Sequence, residues 1–179
     1  MILGIDPGSR TTGFGVIRFN QKQITCIDFG TWSLKGEMPE RLDRLQMHLM
    51  ALRAVHPVEG LVLEQSFVHL NAATALKLGQ VRGVVMAFAA GMGIPVYEYG
   101  ARQVKQTVVG SGAADKKQVQ HMVRTLLGLP SEPAHDAADA LALAITHCHW
   151  RKDLPENRVG KRRTTQRKRW TSYVRTSKR

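Results

Sequence analysis

Two short apolar runs in this chain each end on an acid. MILGID closes on Asp6 and is followed by the turn signal Pro7-Gly8, and GLVLE closes on Glu64. Runs of this length bounded by turn residues suit strands buried in a sheet. An acid at the end of such a strand loses hydration unless a cation or hydrogen-bond donors meet it. A third segment, DAADALALA, opens with Asp136 and Asp139. Their spacing of three puts both on one face of a helix. A fold in which the two strands are neighbours, with that helix at their ends, would gather four carboxylates at one point.

The remaining pattern describes such a fold. Ile2–Ile5 reads as a buried strand, and Thr12–Phe19 and Ile24–Leu34 are β-rich, with a polar hairpin loop between them. Leu42, Leu45, Leu49, Leu52 and Val55 recur every three or four residues, the mark of an amphipathic helix that Pro57 stops. After the run 60–64, Asn71 can cap a helix from Ala72 to about Ala90, followed by the strand-like Ile94–Tyr97. Ala101–Val109, Lys116–Leu127 and Ala134–His149 read as helices. Strands first, then strand–helix alternation, predict an α/β domain over residues 1–150 with a mixed five-stranded sheet flanked by helices.

Charge divides the chain. Residues 150–179 carry 12 Lys/Arg against Asp153 and Glu156, leaving only +2 of the net +12 to the rest. Residues 151–179 lack an apolar period and read as a flexible basic tail. Trp170 and Tyr173 interleave with its cations, a composition suited to a polyanion or simply to solvation. The longest apolar stretch, from Val84, is interrupted by Gly91, Gly93 and Pro95 and is too short to span a bilayer. No secretory n-region and h-region pattern is present, and Cys26 and Cys148 are too few for a disulfide framework or a Cys-based zinc site. A cytoplasmic protein without a membrane partner is expected.

Singly, each acid has an ordinary explanation. Asp6 could start a turn, Glu64 could be a surface residue at a strand end, and Asp136 and Asp139 could serve a helix N-terminus. Together, four close anions repel unless cations join them. All-oxygen donors suit hard ions, and Mg²⁺ takes a few carboxylates together with water and phosphate. Two such ions can clamp the attacking and leaving oxygens of a phosphodiester displacement.

The blocks LGIDPGSRTTGFGVI, LEQSF, NAATALKLGQVRGV, YEYGARQVKQTVVG and KKQVQHMVRTLL…DAADALALAITHCH occur in this order over residues 1–149. In these the chain resembles the RuvC-type Holliday-junction resolvases of bacteria. The resemblance implies a ribonuclease-H-like fold and a homodimeric endonuclease acting in DNA recombination and repair. It would nick two like-polarity strands of a four-way junction symmetrically, leaving 5′-phosphate and 3′-hydroxyl ends. The implied cofactor is Mg²⁺, two ions per site, with Mn²⁺ as a substitute. The family's carboxylates fall on Asp6, Glu64, Asp136 and Asp139.

Phe67 falls where the family has an aromatic residue implicated at the crossover, although a core role is the plainer alternative. Lys105 and Lys116 match lysines thought to engage the scissile backbone. Lys117 reads as surface, and His135, one residue off the acid-bearing face, as accessory or unrelated. His121, His147 and His149 receive no assignment. The family places its dimer contact around the helix at 72–90, whose small residues could equally be buried within one core. A RuvA and RuvB branch-migration complex is implied as partner. Two rivals remain in view. Actin-like ATPases and sugar kinases share the GIDPGS turn but need a second lobe, and a non-catalytic junction-binding module would have no need of all four acids.

Overall fold

The computed structural model describes residues 1–20, 23–65 and 72–151. Phe67, the expected cap Asn71 and almost all of the basic tail lie outside the described residues. The first three strands, β1 (Ile2–Asp6), β2 (Thr11–Asn20) and β3 (Gln23–Ser33), form an antiparallel meander. Helix α1 (Met38–Val55) follows and stops two residues before Pro57. Then come β4 (Gly60–Glu64), α2 (Ala72–Met92), β5 (Val96–Tyr99), α3 (Ala101–Val109), α4 (Lys116–Leu127) and α5 (His135–Trp150). The sheet order is β3-β2-β1-β4-β5, with β4 parallel to β1 and β5 parallel to β4. The five-stranded mixed sheet is therefore as expected, with β1 at its centre. Among the described residues, no helix is long and apolar enough to cross a membrane.

The alternating residues of the central strands feed two cores. Leu3, Ile5, Phe14, Val16, Leu61 and Leu63 pack with Leu45 and Leu49 of α1 and Val81 and Val85 of α2. Ile2, Ile17 and Val62 face the other way, against α3, α4 and the apolar body of α5. Both faces of β1 and β4 are covered, which explains their unbroken apolar runs.

Helix α5 approaches the sheet unusually closely. A Cβ on Gly4 would lie 1.9 Å from the Ala140 carbonyl oxygen, and one on Gly13 would lie 1.9 Å from that of Asp136. Only a residue without a side chain fits at either place. The alanines of α5 meet these glycines, so helix and sheet touch nearly backbone to backbone.

The last strand departs from expectation by two residues: β5 is Val96–Tyr99, not Ile94–Tyr97. The amide of Ile94 bonds to the Ala89 carbonyl at 2.9 Å, closing the end of α2, where Gly93 takes a positive φ of 70°. That amide belongs to the helix cap and cannot join the ladder. The same cap carries α2 two residues beyond Ala90. Helix α5 begins and ends one residue later than its sequence pattern suggested.

Candidate active site

Side-chain alternation decides where the strand-end acids point. On β1, Ile2 and Gly4 face α5, so Asp6 falls on that face too. On β4, Val62 faces α5, and Glu64 follows two residues on. The last registered pair of these strands is Ile5 with Leu63. Asp6 and Glu64 therefore stand side by side at the strand ends, about 4.8 Å apart along the sheet. Asp6 also pairs with Gly13 of β2, the residue lying beneath the Asp136 carbonyl. The start of α5, bearing Asp136 and Asp139, thus sits over the ends of β1 and β4.

The electrostatics record this crowding. The Asp6 carboxyl is pushed up to about 7, first by burial and then by the charges of Asp139, Asp136 and Glu64, with Lys116 pulling the other way. Glu64 is raised by burial and by Asp139, against Lys116, Lys105 and Arg82. Asp139 is raised by burial, opposed by Lys116, raised further by Asp136 and drawn down by His135 and Lys105. Lys105 on α3 and Lys116 at the start of α4 thus face the carboxylates from a second side. Lys116 follows Asp115, whose side chain caps α4 by accepting from the Gln118 amide at 2.8 Å. Among the described residues, no three His, Cys, Asp or Glu side chains are drawn closely enough together, as they stand, to enclose an ion. The donor set nevertheless fits a hard divalent cation. It is all oxygen, and its charges are held near one another with too few lysines to neutralise them.

Two arginines that the sequence pattern does not single out hold the acid-bearing segments. Arg41 of α1 donates through Nε to the Gly36 carbonyl at 2.6 Å and through Nη1 to that of Ser9 at 3.2 Å. It ties down the turn that follows Asp6, which Thr12 also braces by donating to the Gly8 carbonyl at 3.2 Å. Arg82 of α2 donates through Nη1 to the Glu64 carbonyl at 2.6 Å and pairs with the Glu98 carboxylate. A sequence signal for Arg82 existed: beyond Lys77 it is the one charge in the otherwise uncharged α2. His147, which received no assignment, is a core residue.

A family model described as crossover junction endodeoxyribonuclease RuvC matches residues 2–147. A protein of that name from Photorhabdus laumondii is 51% identical over 155 residues, 86% of this chain and 90% of the relative. Another from Salmonella choleraesuis is 54% identical over 150 residues, covering 83% and 87% of the two chains. The solved structure of Thermus thermophilus RuvC in complex with Holliday junction substrate is similar with a TM-score of 0.79 at 32% identity, over 85% of this chain and 94% of that one.

Proposed function

The chain belongs to the RuvC family of crossover junction endodeoxyribonucleases, and from that premise we propose that it resolves Holliday junctions by paired, symmetric nicks. The observation that carries the reading is the convergence of Asp6, Glu64, Asp136 and Asp139 from two strand ends and one helix start. These four would hold two Mg²⁺ ions, with Mn²⁺ able to replace them. Asp6, whose carboxyl feels the charge of each of the other three, would be central among these ligands. When bound, the ions supply Lewis-acid stabilisation of the charge that develops on the phosphate and on the departing 3′ oxygen.

The chain's own residues do the rest. No nucleophilic side chain is needed, so water is the attacking group; the P–O3′ bond breaks and the 3′ oxygen leaves, giving a 5′ phosphate and a 3′ hydroxyl. Lys105 and Lys116, which face the carboxylates, hold the scissile phosphate as point charges and keep it against the acids. Phe67 contributes a stacking surface for a base freed at the crossover.

A two-fold dimer matches the two-fold substrate. Leu76, Gly79, Gly83 and Met86 offer it a surface: they follow one another along one side of α2, and Leu76 is 65% exposed. We assign nuclease chemistry to residues 1–150, non-specific DNA anchorage to the basic residues 151–179, a cytoplasmic location, and a RuvA–RuvB branch-migration complex as partner. The deciding experiment compares a synthetic four-way junction with a linear duplex of matched sequence, in Mg²⁺ and in EDTA. Paired nicks confined to the junction in Mg²⁺ are expected. Equal cutting of both substrates would refute the junction assignment.

A further inference from the structure

We propose that Arg82 is a positioning residue for Glu64, replacing a backbone hydrogen bond that the sheet cannot make at that point. The inference rests on the reading of Glu64 as a member of the nuclease site. Its starting point is the ladder around β4. The amides of Leu61 and Gln65 bond to the Pro95 and Tyr99 carbonyls at 3.0 and 2.9 Å, so the odd-numbered residues of β4 turn their backbone groups toward β5. The even-numbered ones turn theirs toward β1. With Ile5 opposite Leu63, the next donor on β1 for the Glu64 carbonyl would be the amide of residue 7. Residue 7 is proline and has no N–H.

Arg82 meets that carbonyl from α2. Its Nη1 donates to Glu64 O at 2.6 Å, and its Nη2 is held by Glu98, the residue opposite Leu63 on β5. Glu98 and Arg82 lie on the α1–α2 side of the sheet, behind the acids, and the Arg82 side chain is only 14% exposed. A guanidinium fixed there between two acceptors is not available to a DNA phosphate. It grips the peptide at the end of β4 and so sets the direction in which the Glu64 side chain leaves the strand. Removing the group that supports a metal ligand typically costs about 10- to 100-fold in metal affinity or activity.

The test uses the full chain with Arg82→Met, Arg82→Lys and Glu98→Gln. Single-turnover nicking of a four-way junction is measured across a magnesium titration, and junction affinity is measured in EDTA. A metal-free readout is the ¹³C resonance of the Glu64 carbonyl. Arg82→Met is expected to slow cutting by about 10- to 100-fold, to raise the magnesium needed for half-maximal rate, and to leave junction affinity within about twofold. The Glu64 carbonyl resonance should move in Arg82→Met and largely return in Arg82→Lys, whose ammonium restores one donor.

An unmoved resonance with wild-type cutting would overturn the proposal. So would a fall in junction affinity by the same factor as cutting, which would make Arg82 a phosphate contact. If Arg82→Met does not fold, Arg82→Lys and Glu98→Gln carry the test, and unchanged cutting and magnesium demand in both would overturn it. Normal cutting by Glu64→Gln would instead remove Glu64 from the site, while the resonance could still follow Arg82.

Discussion

The Tyr99 hydroxyl and His147 Nδ1 lie 2.9 Å apart inside the core between sheet and α5, where His147 is only 2% exposed. The imidazole also tilts over Tyr97, ring centroids 4.2 Å apart. Burial pushes the Tyr99 hydroxyl up to about 12, so it keeps its proton. Burial, with a smaller push from Arg151, lowers His147 to about 4, so the ring is neutral. Tyr99 is then the natural donor and Nδ1 the acceptor.

A pH dependence follows from His147. Its folded value lies below the ordinary 6.5, so the unfolded chain takes up the proton first. Stability from this group is complete above pH 6.5, falls between 6.5 and about 4, and is constant below that. The loss amounts to no more than about 3.5 kcal/mol. Denaturant melts of wild type and His147→Gln across this window check it, and the difference between them should shrink on acidification. Parallel pH profiles would remove His147 as the cause.

Asp6→Asn takes one charge out of the crowd of acids. Nicking should be lost, with junction binding in EDTA largely retained. Without divalent cations at neutral pH the variant should be more stable than wild type, by about 1–3 kcal/mol, because a buried like charge is gone. Nicking assays paired with melts in EDTA give both readings. Preserved nicking would remove Asp6 from the centre.

The proposed dimer through α2 predicts the behaviour of Leu76. A glutamate there would bring a charge into an apolar contact twice over, once from each copy. Leu76→Glu is expected to weaken self-association at least about tenfold while each chain stays folded. Sedimentation velocity over a concentration series measures this. An unchanged dimer would move the interface elsewhere.

Removal of residues 151–179 should weaken junction binding and leave magnesium-dependent nicking intact. The slope of log affinity against log salt should flatten by nearly one unit for each phosphate that the tail no longer neutralises. A salt titration in EDTA gives that slope directly, and identical slopes would assign the tail no part in DNA binding.

Much of the placement of the candidate site's acids was legible because it depends on short-range rules. Alternation along Ile2–Asp6 and Gly60–Glu64 fixes which way each acid points, and the spacing of Asp136 and Asp139 puts them on one helix face. Arg82 was not legible, because its role depends on which carbonyl of β4 lacks a donor. That requires the register of three strands, of which only the proline is visible beforehand. His147 was hidden for a related reason, since its partner Tyr99 lies 48 residues away on another element. The late start of β5 turns on one amide, that of Ile94, which the helix end takes before the sheet can.

The missing side chains at Gly4 and Gly13 have a consequence beyond packing. Because Gly13 lies against the Asp136 backbone, main-chain contact limits how closely the start of α5 approaches the sheet. The reach of the acids must match that separation. In a chain with alanine at position 13, α5 would ride higher, and a one-methylene-longer acid at position 136 would be needed to cover the same gap. Residue size in the sheet and acid length in the helix are therefore expected to vary together in descendants of this design. A selection for active revertants of Gly13→Ala should recover Asp136→Glu.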